Sequence, residues 1–106
     1  MDTSTVVIAT RSPICCTVLA IPTCGHPRVI RHWLASAGDP NPPHWWGPDC
    51  LDCTQLAADI LAALVPASVH RYAGPYHRLA DRLAGYTRNE WHATAAQILD
   101  CQVGIL

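Results

Sequence analysis

Cys50-Leu51-Asp52-Cys53-Thr54-Gln55-Leu56 lies where the chain changes character. Asp52 is placed to cap a helix that starts at Cys53, with Gln55 three residues later as its capping-box partner. The two cysteines then stand at the mouth of that helix, where the positive end of the dipole favours thiolate. Upstream, Cys24-Gly25-His26 supplies a second close pair across a glycine. Two close pairs of soft ligands, separated by a loop-length insert, form the layout of a structural zinc site. Cys24, His26, Cys50 and Cys53 are therefore the candidate zinc ligands, with His32 and His44 as alternatives for the fourth position. A closed set of four leaves no open coordination position, so such a zinc is structural and not catalytic.

Downstream of this stretch, Leu56, Ile60, Ala63 and Leu64 repeat at helical spacing. Pro66 stops this helix or opens a kinked continuation from Ala67 to Tyr72. Gly74-Pro75 opens the next helix, with Tyr76, Leu79, Ala80 and Leu83 inward and Gly85 as its cap. Thr87-Arg88-Asn89-Glu90 reads as a capping box for a last helix that turns Trp91, Ala95, Ile98 and Leu99 inward and ends at Gly104.

Upstream, the pattern is that of strands. Thr3 to Thr10 carries Val6, Val7 and Ile8, and Ile14 to Ile21 is mostly apolar and reads as buried on both faces. Arg11-Ser12-Pro13 joins the two as a turn. Arg28 to Trp33 is a third strand, whose alternation puts Val29, Arg31 and Trp33 on one face and Arg28, Ile30 and His32 on the other. Asp39-Pro40-Asn41-Pro42-Pro43 admits neither helix nor central strand, and His44-Trp45-Trp46 reads as a short returning strand. The expected fold is α+β: a hairpin and metal knuckle in the N-terminal half, packed on a three-helix C-terminal half, as one domain of 106 residues.

The charge balance is 7 basic against 8 acidic residues, a formal net of -1, which argues against a generic nucleic-acid binder. Half the residues are hydrophobic, so the chain is not disordered as a whole. Lysine and phenylalanine are absent while Ala and Arg abound, the usage of a GC-rich genome such as an actinobacterium or its phage. Six cysteines admit a disulfide framework, but three of them group with histidines, and that grouping favours metal and a reducing cytoplasm. Pro13 to Ile21 is short for a secretory signal and lacks its cleavage site. No run approaches the ~18 apolar residues of a membrane span.

Knuckle, hairpin, then CxxC entering a helix resembles the treble-clef group of zinc fingers, over roughly Pro22 to Val65 and through four residues. The resemblance implies a structural zinc ion at those four positions. The sequence departs from the commoner pattern in carrying CxH for the first CxxC. An iron–sulfur cluster through Cys24, Cys50 and Cys53 lacks a further cysteine shortly after the CxxC. A CxxC with no metal, reduced or disulfide-bonded, remains open.

Pro48-Asp49-Cys50-Leu51-Asp52-Cys53 is similar to the P-C-x-x-C of zinc deaminases, which also need H-x-E or C-x-E upstream. The only glutamate here is Glu90, far downstream. A nuclease on a treble clef wants histidine on the helix after CxxC, and Thr54 to Val65 has none. A thioredoxin-like site wants the CxxC after a strand, and a Pro-rich loop precedes it. The expectation is therefore no enzyme. Arg28, Arg31, Trp33, Trp45 and Trp46 are of the types enriched at interface hot spots. Two adjacent tryptophans in extended chain cannot both face inward, which leaves one exposed. The expected function is a zinc-binding protein-interaction module, with another protein as partner. A nucleic-acid-binding zinc finger is the alternative, and a small deaminase- or nuclease-like zinc enzyme the second.

Overall fold

The two apolar runs of the N-terminal half form the middle of a four-stranded antiparallel sheet. The computed structural model describes residues 4–65 and 77–103. Its strands are β1 (Val6–Arg11), β2 (Cys15–Ile21), β3 (Arg28–Leu34) and β4 (Glu90–Thr94), and its helices are α1 (Cys53–Leu64), α2 (His77–Ala84) and α3 (Ala95–Val103). The sheet order is β3-β2-β1-β4, every pair antiparallel, and the fold is α+β. The continuation over Ala67 to Tyr72, the Gly74-Pro75-Tyr76 opening and the Gly104 stop lie outside the described residues.

Among the described residues, the helices cover one face of the sheet. Val7 and Ala9 of β1 and Cys16, Val18 and Ala20 of β2 are buried, while their neighbours Val6, Ile8, Cys15, Thr17, Leu19 and Ile21 are half-buried. β2 is thus not buried on both faces, as its apolar run suggested. It alternates, and only its even-numbered residues meet the helices. Leu56, Ala57, Ile60 and Leu61 of α1, Leu79 and Leu83 of α2, and Ile98 and Leu99 of α3 join Val7, Val18, Trp45 and Trp46 in one core.

β3 departs from simple alternation. Arg31 pairs with Val18 and Val29 with Leu19, so Ile30 is an extra residue opposite β2. This bulge turns Ile30 to the core side along with Arg31 and Trp33, and leaves Val29, His32 and Leu34 on the far face. One extra residue reverses the face of everything beyond it, which is why the alternation read for this strand fails at Arg28, Val29 and Ile30.

The last helix starts later than its expected capping box. Glu90–Thr94 is a strand because it satisfies the free edge of β1, pairing Thr10 with Glu90 through Val6 with Thr94. A second box opens α3. Gln97 N–H donates to Thr94 Oγ1 at 3.1 Å, and Thr94 N–H donates to Gln97 Oε1 at 2.9 Å. These two bonds satisfy orphan donors of the helix start. Thr94→Ala is expected to cost about 1 kcal/mol, read as a lower urea midpoint at unchanged slope.

Candidate functional site

The start of α1 does not use the cap read from its sequence. Asp52 is the N-cap residue, yet its carboxylate makes no capping bond. It accepts instead from Arg31 Nη1 at 2.5 Å. Arg31 also reaches Asp59 about two turns farther along, at 2.8 Å from Nε and 2.7 Å from Nη2. Gln55, the expected box partner, donates to Asp59 Oδ1 at 3.0 Å. The Arg31 guanidinium lies 5.7 Å from the centre of the Trp45 ring. β3 is thereby fastened to α1 by one cation between two carboxylates and an indole.

Cys50 and Cys53 are joined by a disulfide. Cys53 is buried, Cys50 half-buried, and Leu51 between them fully presented to solvent. Cys24 and His26 are exposed in the turn between β2 and β3. That turn lies at the other end of α1: Arg28, two residues beyond His26, donates through Nη1 to Ala63 O at 3.1 Å. Ten residues of helix separate Cys53 from Ala63, roughly 15 Å at 1.5 Å per residue. As arranged here the Cys24–His26 turn lies toward the far end of α1 from Cys50 and Cys53, which are bonded to each other. Among the described residues no three His, Cys, Asp or Glu side chains group closely enough to hold a metal. His32 lies on the far face of the sheet, and His44 is exposed in the Pro-rich loop, one residue before Trp45, whose carbonyl oxygen lies 3.7 Å from Cys53 Sγ.

The other thiols differ in reactivity. Burial pushes the Cys16 thiol above its ordinary value, against a weaker lowering influence from the Ser12 backbone. A buried protonated thiol is a poor nucleophile. Cys24 is expected to be carbamidomethylated by iodoacetamide well before Cys16, which peptide mass mapping over time reads directly.

Of the residues expected to contact a partner, Trp45 and Trp46 are both buried, at 8% and 1% exposure. The expectation that one indole stays outside is corrected by the backbone: the chain bends at Trp46 and Gly47 takes φ +101°, so the pair is not extended. No returning strand forms there. Trp33 is half-buried and donates from Nε1 to Asp39 at 2.8 Å, Arg31 is held by its two carboxylates, and Arg28 is exposed. Beside Trp46, Arg11 stacks 4.7 Å above the ring and donates to Trp46 O and Asn89. These two floor a groove of about 400 Å³ walled by Pro43, His44 and Asp49.

The surface missed from the sequence is the far face of the sheet. The strand register lines up three rows across it: His32, Thr17, Thr10 and Glu90; then Val29, Leu19, Ile8 and His92; then Ile21, Val6 and Thr94. The middle and last rows are apolar at their centres. Val29 is 64% exposed, as is Leu34 at 61% farther along β3. None of these residues belongs to the helix-covered core. The signal was the alternation of β1 and β2, visible once Thr10 and Thr17 are taken as facing water. No helix of the described residues is long and apolar enough to cross a membrane. Compared with known family models, curated proteins and solved structures, the chain matches none.

Proposed function

We propose that the chain is a small protein-interaction module that binds through the far face of its sheet. The observation behind this reading is the apolar centre of that face, Ile8 and Leu19 flanked by exposed Val29 and Leu34, with no described helix upon it. Contiguous exposed apolar surface marks interaction sites. The site asks for no chemistry: it offers shape, apolar area and a rim of His32, Glu90 and His92. The formal charge of -1 and the paired state of Arg31 favour protein over nucleic acid as partner. The test is capture of protein from a host lysate by the wild type and by Leu19→Glu. The wild type is expected to retain a partner that the variant loses, and retention on heparin at moderate salt would turn the reading toward nucleic acid.

The zinc expectation has its own test. On that reading Cys50 and Cys53 are reduced thiolates, and the turn carrying Cys24 and His26 leaves the far end of α1 to meet them. Metal content of protein purified without added zinc, with the mass of the intact chain reporting the oxidation state of the pair, separates the two forms. A cytoplasmic location belongs with the reduced form, and an oxidising compartment with the disulfide.

A further inference from the structure

The rows of the far face are self-complementary, and we infer that its partner is a second copy of this chain. This rests on the far face being the interaction surface. Consider a two-fold axis lying between two such sheets and running along the strands. It keeps each row at its own height and exchanges left for right, so β3 of one copy lies over β4 of the other. Leu19 then meets Ile8 of the partner, and Ile8 meets its Leu19. The Thr10–Thr17 pair, joined at 3.0 Å between hydroxyl oxygens, lies over the same pair. At the edges His32 faces the partner's Glu90, and Glu90 the partner's His32, a donor or cation over a carboxylate on both sides. Val29, which stands out from β3, faces a hollow of about 480 Å³ lined by Ile8, Arg88, Glu90, Trp91 and His92. A two-fold axis running across the strands instead puts the threonine row over Val6 and Ile21.

The spacing permits these contacts. Packed sheets stand about 10 Å apart at about 30°, a gap that facing Leu–Ile and His–Glu side chains span. Four strands about 4.8 Å apart and roughly 20 Å long give about 800 Å² of footprint from both copies. That is below the ~1,200–2,000 Å² of tight complexes, so the dimer is expected to be reversible, dissociating in the micromolar range. Such an isologous contact closes on itself and leaves no free copy of the face to grow a chain.

The experiment is sedimentation equilibrium of the full chain from micromolar to sub-millimolar loading, on samples shown free of intermolecular disulfide by non-reducing gel. The wild type is expected to show a monomer–dimer equilibrium. His32→Glu sets two carboxylate pairs face to face and should weaken it about tenfold or more, as should Glu90→His through paired histidines. Both positions are exposed at strand edges, and circular dichroism verifies that each variant is folded. The swap, His32→Glu with Glu90→His, restores complementarity and should return the constant to within about threefold of wild type. A wild type that stays monomeric throughout, a dimer indifferent to His32→Glu, or a swap that fails to restore association would each overturn the inference. Monomeric protein whose lysate partner is still lost in Leu19→Glu would defeat the second copy while keeping the interaction face. A Leu19→Glu variant that keeps every interaction would defeat both.

Discussion

Trp46→Ala is expected to lower stability by about 3–5 kcal/mol, enough to leave little folded protein where a domain of this kind has about 5–15 kcal/mol to lose. Trp46 is 1% exposed and joins three parts of the chain. Its Nε1 donates to Arg88 O at 2.9 Å, tying the Pro-rich loop to the segment before β4. Its edge meets Trp91 of β4 with centroids 5.9 Å apart at 83°, and its face carries Arg11 of β1. Alanine leaves a cavity in the core, takes the donor from the Arg88 carbonyl, and removes the ring beneath Arg11, whose hydrogen bonds to the residue-46 carbonyl and Asn89 remain. Trp46→Phe separates these terms, since it retains most of the ring and loses the hydrogen bond. Its expected cost is about 1–2 kcal/mol. Urea unfolding followed by circular dichroism measures both, and an alanine variant within 1 kcal/mol of wild type, about the cost of a single lost cap, would remove Trp46 from the core.

Arg31→Ala is expected to cost about 2–3 kcal/mol. Charge-assisted hydrogen bonds contribute about 1.5–3 kcal/mol each, but Asp52 and Asp59 are 44% and 35% exposed and regain water when the cation is removed. The arginine itself is 13% exposed and closes the side of Trp45, so lost packing adds to lost charge. Lysine reaches one carboxylate and cannot fork to two, so Arg31→Lys should recover less than half of the loss. The same unfolding curves measure this, and Asp59→Asn should be the milder change because Asp52 still holds the cation. Equal stability of Arg31→Ala and wild type would mean that β3 is fastened to α1 by other contacts.

The parts of the fold that were legible are those set by neighbours in sequence. The β1–β2 hairpin follows from two apolar runs around Arg11-Ser12-Pro13. The inner positions Leu56 and Ile60 of α1, and Leu79, Ala80 and Leu83 of α2, follow from a 3.6-residue period. What was missed is set at a distance. Residues 90–94 carry a fair helix-capping signal, and only pairing with β1, some eighty positions away in a 106-residue chain, makes them a strand. The bulge at Ile30 depends on β2, and with it the side on which Val29 stands. Trp45 and Trp46 both turn inward because Gly47 adopts a left-handed φ, and its amide is held by Leu83 O at 2.9 Å.

The candidate site follows the same division. Ligand spacing in the sequence brings Cys24 near His26 and Cys50 near Cys53. Whether the pairs meet is decided by how α1 lies on β3. Arg31 against Asp52 and Asp59, with Arg28 against Ala63, sets the helix so that the pairs fall at opposite ends. The far face was hidden for a different reason. Ile8 and Leu19 are apolar and sit in strands, which ordinarily means core. Only the register shows that they stand back to back with Val7 and Val18, the residues the helices cover.

The freedom of that face is the central claim, and thermal unfolding of two adjacent substitutions tests it most directly. Val18 is fully buried beneath the helices, whereas Leu19, its neighbour, is on the far face. Val18→Glu places an unpaired charge in the core and is expected to prevent folding. Leu19→Glu is expected to fold, with a midpoint within about 5 °C of wild type, a shift that corresponds to about 1 kcal/mol. A Leu19→Glu chain that fails to fold as Val18→Glu does would show that the far face is already covered by the protein's own core, and would contradict the account.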